Sequence, residues 1–130
     1  MKRILLACFL LTATCSVSFV TVASAQSVPP TVTLADFTAK INLMDSYIGS
    51  GDMTNANTTW LQVHSMMMNL LATTKYSIFS ATTPAAKSSF QTIMMNQQNI
   101  YTQIWALKPD LATNRTAIHA KLVEFGATIY

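Results

Sequence analysis

Apolar positions in this chain form one nearly unbroken run followed by four periodic stretches. The run extends from Ile4 to Val22 with Thr and Ser as its main interruptions, behind a positive Met1-Lys2-Arg3 and ahead of the small residues Ala23-Ser24-Ala25. A basic start, an apolar middle and a small-residue end are the three parts of a secretory signal peptide, so residues 1–25 are expected to be removed before Gln26. The rival reading is an uncleaved membrane anchor, since Ile4 to Ala25 just reaches across a bilayer. The cleavage-site residues and the hydroxyl content favour removal, and no second spanning segment follows.

Residues 26–32, with Pro29-Pro30, read as an extended N-terminal strap. Thr33 then offers a helix N-cap with Asp36 three residues on, and Leu34, Phe37, Ile41, Met44 and Ile48 follow at steps of three and four. Gly49-Ser50-Gly51 ends that first helix, and Asp52 caps a longer second one. Its seam is Trp60, Val63, Met67 and Leu70, widened by His64 and Leu71, and it fades near Ser80. Thr83-Pro84 starts a third helix with Ala86, Phe90, Ile93, Gln97, Ile100, Ile104 and Leu107 inward, and Met94, Tyr101 and Trp105 broadening that face. Pro109 stops it, and Asp110 is expected to cap a fourth helix with Leu111, Arg115, Ile118, Leu122, Phe125 and Ile129 in its seam. Gly126 weakens the last turn by about 1 kcal/mol relative to alanine.

No segment alternates apolar and polar residues as a half-buried strand would, so the fold class is all-α. Short connections set neighbouring helices in opposite directions, which predicts an up-down-up-down antiparallel four-helix bundle over residues 33–130. The first helix is shorter than the second, so the far end of the second needs cover from the strap or from another chain.

Composition changes this picture in two ways. Both cysteines, Cys8 and Cys15, lie in the leader, so the remaining 105 of 130 residues have no disulfide and no thiolate metal site or nucleophile. The basic pI falls away as well, because Lys2 and Arg3 leave with the leader. Six basic residues then stand against five acidic ones, a net charge of +1. Those charges are scattered singly with no basic stripe, which argues against a nucleic-acid partner. A weakly repelling surface of Thr, Ser, Asn and Gln fits self-association.

Candidate chemistry concentrates at mid-height. Counted from the end holding Gly49, Asp52, Leu107 and Asp110, His64 is about eleven residues down its helix, Gln97 about ten and His119 about nine. One reading is a metal or haem site with His64, His119, Met67 and Met94 as ligands, imidazoles serving iron or copper and thioethers favouring copper(I). The plainer reading makes both histidines half-buried polar residues and Gln97 a register-fixing core amide, with no bound cofactor. Met66-Met67-Met68 sweeps about 200° of helix surface, so the three cannot share one core. Met66, Met68, Met95 and Trp105 are therefore expected to form an adaptable contact surface for a protein partner or a second copy.

Asn114-Arg115-Thr116-Ala117-Ile118-His119-Ala120-Lys121 resembles the last helix of the soluble periplasmic four-helix b-type cytochromes. In that family the histidine ligates haem iron opposite a methionine of the first helix, which would cast His119 as a haem ligand. The likeness covers eight residues and departs from the pattern elsewhere. The fourth helix is short ahead of His119, Phe37 stands at the early methionine position with Met44 two turns later, and no Cys-x-x-Cys-His occurs.

Enzyme chemistry lacks a constellation. The five acids are far apart, Asp36, Asp52 and Asp110 fit helix starts, and neither a nucleophile elbow nor a phosphate-cradling loop occurs. The expectation is a small exported helical protein, periplasmic or secreted, that acts by binding.

Overall fold

The computed structural model describes residues 31–130; the expected signal peptide of residues 1–25 and the first part of the expected strap lie outside the described residues. Four α-helices follow in order, α1 Leu34–Ser50, α2 Met53–Ser80, α3 Pro84–Leu107 and α4 Arg115–Gly126, with a 3₁₀ turn Lys108–Asp110 between the last two. No strand occurs among the described residues, and the absence of cysteine from them leaves no disulfide there. No helix among them is long and apolar enough to cross a membrane.

Helix boundaries follow local chemistry. At the start of α1 the Thr33 hydroxyl accepts from the Asp36 N–H at 3.1 Å, capping the helix, and donates to the Asp36 carboxylate at 2.6 Å, a side-chain pair in place of the capping box that the spacing suggests. Gly51 closes α1 at φ 79°, and its N–H and that of Asp52 reach Ile48 O and Tyr47 O in a Schellman arrangement. Asp52 accepts from Asn55 N–H to cap α2, and Thr83 accepts from Ala86 N–H to cap α3.

The fourth helix departs from expectation. Asp110 caps only a turn, its carboxylate accepting from Thr113 N–H at 2.9 Å, and α4 begins at Arg115. Asn114, at the true N-cap, turns its side chain away to donate to Leu107 O at 2.8 Å, so it ties off the end of α3 instead of starting α4. Leu111 is buried from the turn, and Ile118, Leu122 and Phe125 from α4. Arg115, expected in that seam, is partly exposed and paired with Asp45 of α1.

Each helix packs on two others: α1 on α2 and α4, α3 on α2 and α4. The core is Phe37, Ile41, Met44 and Ile48 from α1, Trp60, Val63, Met67 and Leu70 from α2, Ile100 and Ile104 from α3, and the α4 residues already named. Pairings fix the levels: Phe37 meets Phe125 at 5.9 Å and Asp45 meets Arg115, while Trp60 meets Trp105 at 6.4 Å and His64 meets Tyr101 at 5.9 Å. Gly126 permits the close approach of α4 to α1, since a Cβ there would lie 3.2 Å from the Phe37 ring.

With 28 and 24 residues against 17 and 12, α2 and α3 outrun α1 and α4. Beyond Thr74 and before Gln97 neither long helix has a fully buried residue. The chain ends reach the start of this overhang. Val32 and Ile129 pack against the core, and the Tyr130 ring meets Phe90 at 5.3 Å, tilted by 40°, while its hydroxyl donates to the Ser77 hydroxyl at 2.9 Å.

Candidate functional site

The outer face of α2 and α3 is built from a second periodicity beside the core seam. On α2, Leu61, Met68, Ala72, Lys75 and Phe79 lie three, four or seven residues apart, and on α3 so do Lys87, Gln91, Met94, Gln98, Tyr101 and Trp105. At one end Trp60, His64, Tyr101 and Trp105 form an aromatic cluster. Tyr101 and Trp105 stack at 6.1 Å and 20°, His64 lies 5.5 Å from Trp105, and His64 Nε2 shares a 2.9 Å hydrogen bond with the Tyr101 hydroxyl. Trp60 is buried beneath the cluster while Trp105 keeps 51% of its surface exposed. Next along the face, Met68, Leu71, Ala72, Lys75, Met94 and Gln98 line an open groove of about 310 Å³.

This face is nearly free of charge. Residues 53–107 contain no Asp or Glu, and their only formal charges are Lys75 and Lys87. Its hydroxyls are also partly withdrawn from solvent chemistry. Thr58, Thr59, Thr73, Ser77, Ser80, Thr92 and Thr102 each donate to the carbonyl four residues back in their own helix. Beside the exposed Lys75, Lys87, Gln91 and Gln98, the face presents apolar groups outward, with Leu61, Met68, Phe79 and Met95 all strongly exposed.

The opposite side, between α1 and α4, is polar. Arg115 grips Asp45 with two donors, Nε and Nη2, each at 2.7 Å. That grip holds the Asp45 carboxyl below its ordinary range and raises the guanidinium further. Gly49 makes the room: a Cβ there would sit 2.5 Å from the guanidinium. His119 Nδ1 is buried 3.8 Å from Asp45 Oδ1, too far for a hydrogen bond, and has no other partner. Asp45, Arg115, Thr116, His119 and Ala120 line a shallow cleft of about 370 Å³.

A third feature sits under the chain ends, a cavity of about 60 Å³ lined by residues that include Val32, Thr74, Gln97, Thr128 and Tyr130. Gln97 Nε2 donates to the Thr128 hydroxyl at 3.0 Å, which in turn donates to Phe125 O at 2.6 Å. Both hydrogens of that relay run one way. The amide orientation is therefore set, and Gln97 Oε1 is left as a buried acceptor without a donor.

The expected site residues scatter accordingly. His64 faces Tyr101 of α3 and His119 faces Asp45 of α1, so the two histidines lie against different helix pairs. Met67 is wholly buried in the core, and Met94 is half-buried in the groove. Among the described residues no three His, Cys, Asp or Glu side chains gather as a metal site of those ligands would require. Of the expected contact residues, Met68 and Trp105 share the α2–α3 face and Met95 flanks it, whereas Met66 turns inward against the core. Sequence reasoning missed Lys75 and Lys87 as members of this face, and missed Asp45 as the partner of Arg115. The first was legible in the helical spacing; the second spans 70 residues and needed the fold.

Compared with known proteins, the chain matches no family model, no curated protein and no solved structure.

Proposed function

We propose that this protein is an exported, non-catalytic binding protein that meets a protein partner, or a second copy, through the outer α2–α3 face. The four helices are read as an up-down-up-down antiparallel bundle in which that face is the broad side left uncovered. The observation that carries the reading is the uneven division of charge. Asp36, Asp45 and Glu124 lie on α1 and α4 and Asp52 and Asp110 in the connections, while α2 and α3 expose Leu61, Met68, Met95 and Trp105 with only two lysines. Every carboxylate also has a structural partner: Asp36 with Thr33, Asp45 with Arg115, Asp52 with Asn55, Asp110 with Thr113 and Glu124 with Lys121. That supports binding over acid–base catalysis, which needs a carboxylate free to change protonation.

The test is affinity capture from the native host with wild type, Trp105→Lys and Lys121→Ala side by side. Binding through α2–α3 requires that Trp105→Lys loses the captured chain and Lys121→Ala keeps it. Equal capture by all three variants removes this face from consideration.

A further inference from the structure

The outer α2–α3 face carries its two kinds of recognition group at opposite ends. The aromatic cluster of Trp60, His64, Tyr101 and Trp105 lies toward the α2 N-terminus, and Lys75 and Lys87 lie toward the α2–α3 connection. Between them is the groove floored by Met68 and Gln98. The spacing is balanced about that middle. Lys75 is seven residues from Met68 and Leu61 is seven residues the other way, about 10 Å in each direction. On α3 the placement is uneven, with Lys87 eleven residues, about 16 Å, to one side of Gln98 and Trp105 seven, about 10 Å, to the other, so the balance is carried by α2. The register Trp60–Trp105 and His64–Tyr101 brings Met68 level with residues 97 and 98, so both helices share the same midpoint.

A surface with complementary groups placed evenly about a centre is self-complementary under a two-fold axis. We propose that this face is the interface of a symmetric dimer whose axis crosses both helices near Met68 and Gln98, seating Lys75 of each copy against the aromatic cluster of the other. The inference rests on the α2–α3 binding reading and names the partner as a second copy of this chain. In that arrangement α2 lies along α2 of the other copy with reversed direction. Met68 meets its own equivalent, a contact that a flexible thioether fills well. The Lys75 stem crosses Leu61 of the other copy, and its ammonium group reaches electron-rich ring faces.

Three observations favour a second copy over a different protein. The only charges on the face are cations, and the same face supplies their aromatic acceptors. No acidic group anywhere in residues 53–107 competes for those lysines. The dimensions also suffice. From Trp60 to Phe79 the face runs about 28 Å, and two helices are about 20 Å wide, near the roughly 800 Å² per partner of a standard interface once side-chain relief is included.

The experiment is light scattering coupled to size separation, on the chain as its host releases it, across a concentration series to about 100 µM, well above the Kd of a specific dimer. The expected result is a concentration-dependent dimer. Met68→Glu, which sets two carboxylates across the axis, should raise Kd by at least ~100-fold. Lys75→Ala should raise it about tenfold, with Lys75→Arg restoring it, because guanidinium replaces ammonium over a ring. Trp105 emission should shift with concentration in wild type and not in Met68→Glu; circular dichroism of each variant confirms that it is folded. A monomer throughout the series overturns the dimer, and so does a dimer indifferent to both Met68→Glu and Lys75→Ala. A monomer that still captures another protein through Trp105 overturns the dimer while leaving the binding reading in place.

Discussion

The α1–α4 side and the α2–α3 side share one core but solve opposite problems. Between α1 and α4, short helices approach closely at Gly126 and Gly49 and finish their surface with an ion pair, Asp45 to Arg115. Between α2 and α3, longer helices pack through Trp60, Ile100 and Ile104 and leave an uncharged margin of Met68, Met94, Met95 and Trp105. The first side is finished against water. The second resembles the inside of an interface, which is depleted in carboxylates and enriched in Met and aromatic residues. On the proposed reading, stability and recognition fall to different helix pairs, so substitutions should separate them.

The sharpest separation comes from Phe125→Ala. It removes a ring buried against Phe37, and the expected loss is about 3–5 kcal/mol, read from the urea midpoint. A smaller change, Thr83→Ala, deletes the cap of α3 and should cost about 1 kcal/mol in the same assay. Arg115→Met sharpens the contrast through pH. Arg115 holds the Asp45 carboxyl below its ordinary value, so the folded state binds that proton less tightly than the unfolded chain does. The pair's contribution is full above the ordinary carboxylate range and drains as pH falls through the lowered value. The stability gap between wild type and Arg115→Met should therefore be widest near neutrality and close in acid. Unfolding curves taken stepwise from neutral to acidic pH measure it, and a gap that widened in acid would contradict the assignment. Smallest of all on stability is Met95→Gln, on an exposed position, with an expected shift within about 0.5 kcal/mol. Its effect, if the division of labour holds, appears in partner affinity alone.

Much of the fold was legible because each helix start carries its own chemistry. Thr33, Asp52 and Thr83 cap where their spacing to the next apolar seam said they would. Asp110 offered the same signal and misled, because an aspartate that closes a single turn looks identical in sequence to one that starts a helix. What displaced the start of α4 was the claim of Asn114 on Leu107 O, a contact seven residues long. The histidines show a different gap between sequence and structure. Matching heights along two helices says nothing about which way each side chain turns, and His64 and His119 turn to different neighbours. The proposed binding face was half legible. Met68, Met95 and Trp105 were read from residue type, but charge was totalled over the chain, which concealed the 55 consecutive residues 53–107 without a carboxylate. Counting by helix would have exposed it.

The unequal helix lengths have a consequence in time. Amides of α2 from Thr59 to Thr74 sit over the shared core, and their release to solvent requires the helices to part. Amides past Lys75 are held only by one neighbouring helix and by the anchor of Tyr130 on Ser77 and Phe90. Hydrogen exchange along this single helix should thus run as a gradient, slow through the core and fast toward Ser80, so the far end of the hairpin opens and closes many times while the rest of the molecule stays shut.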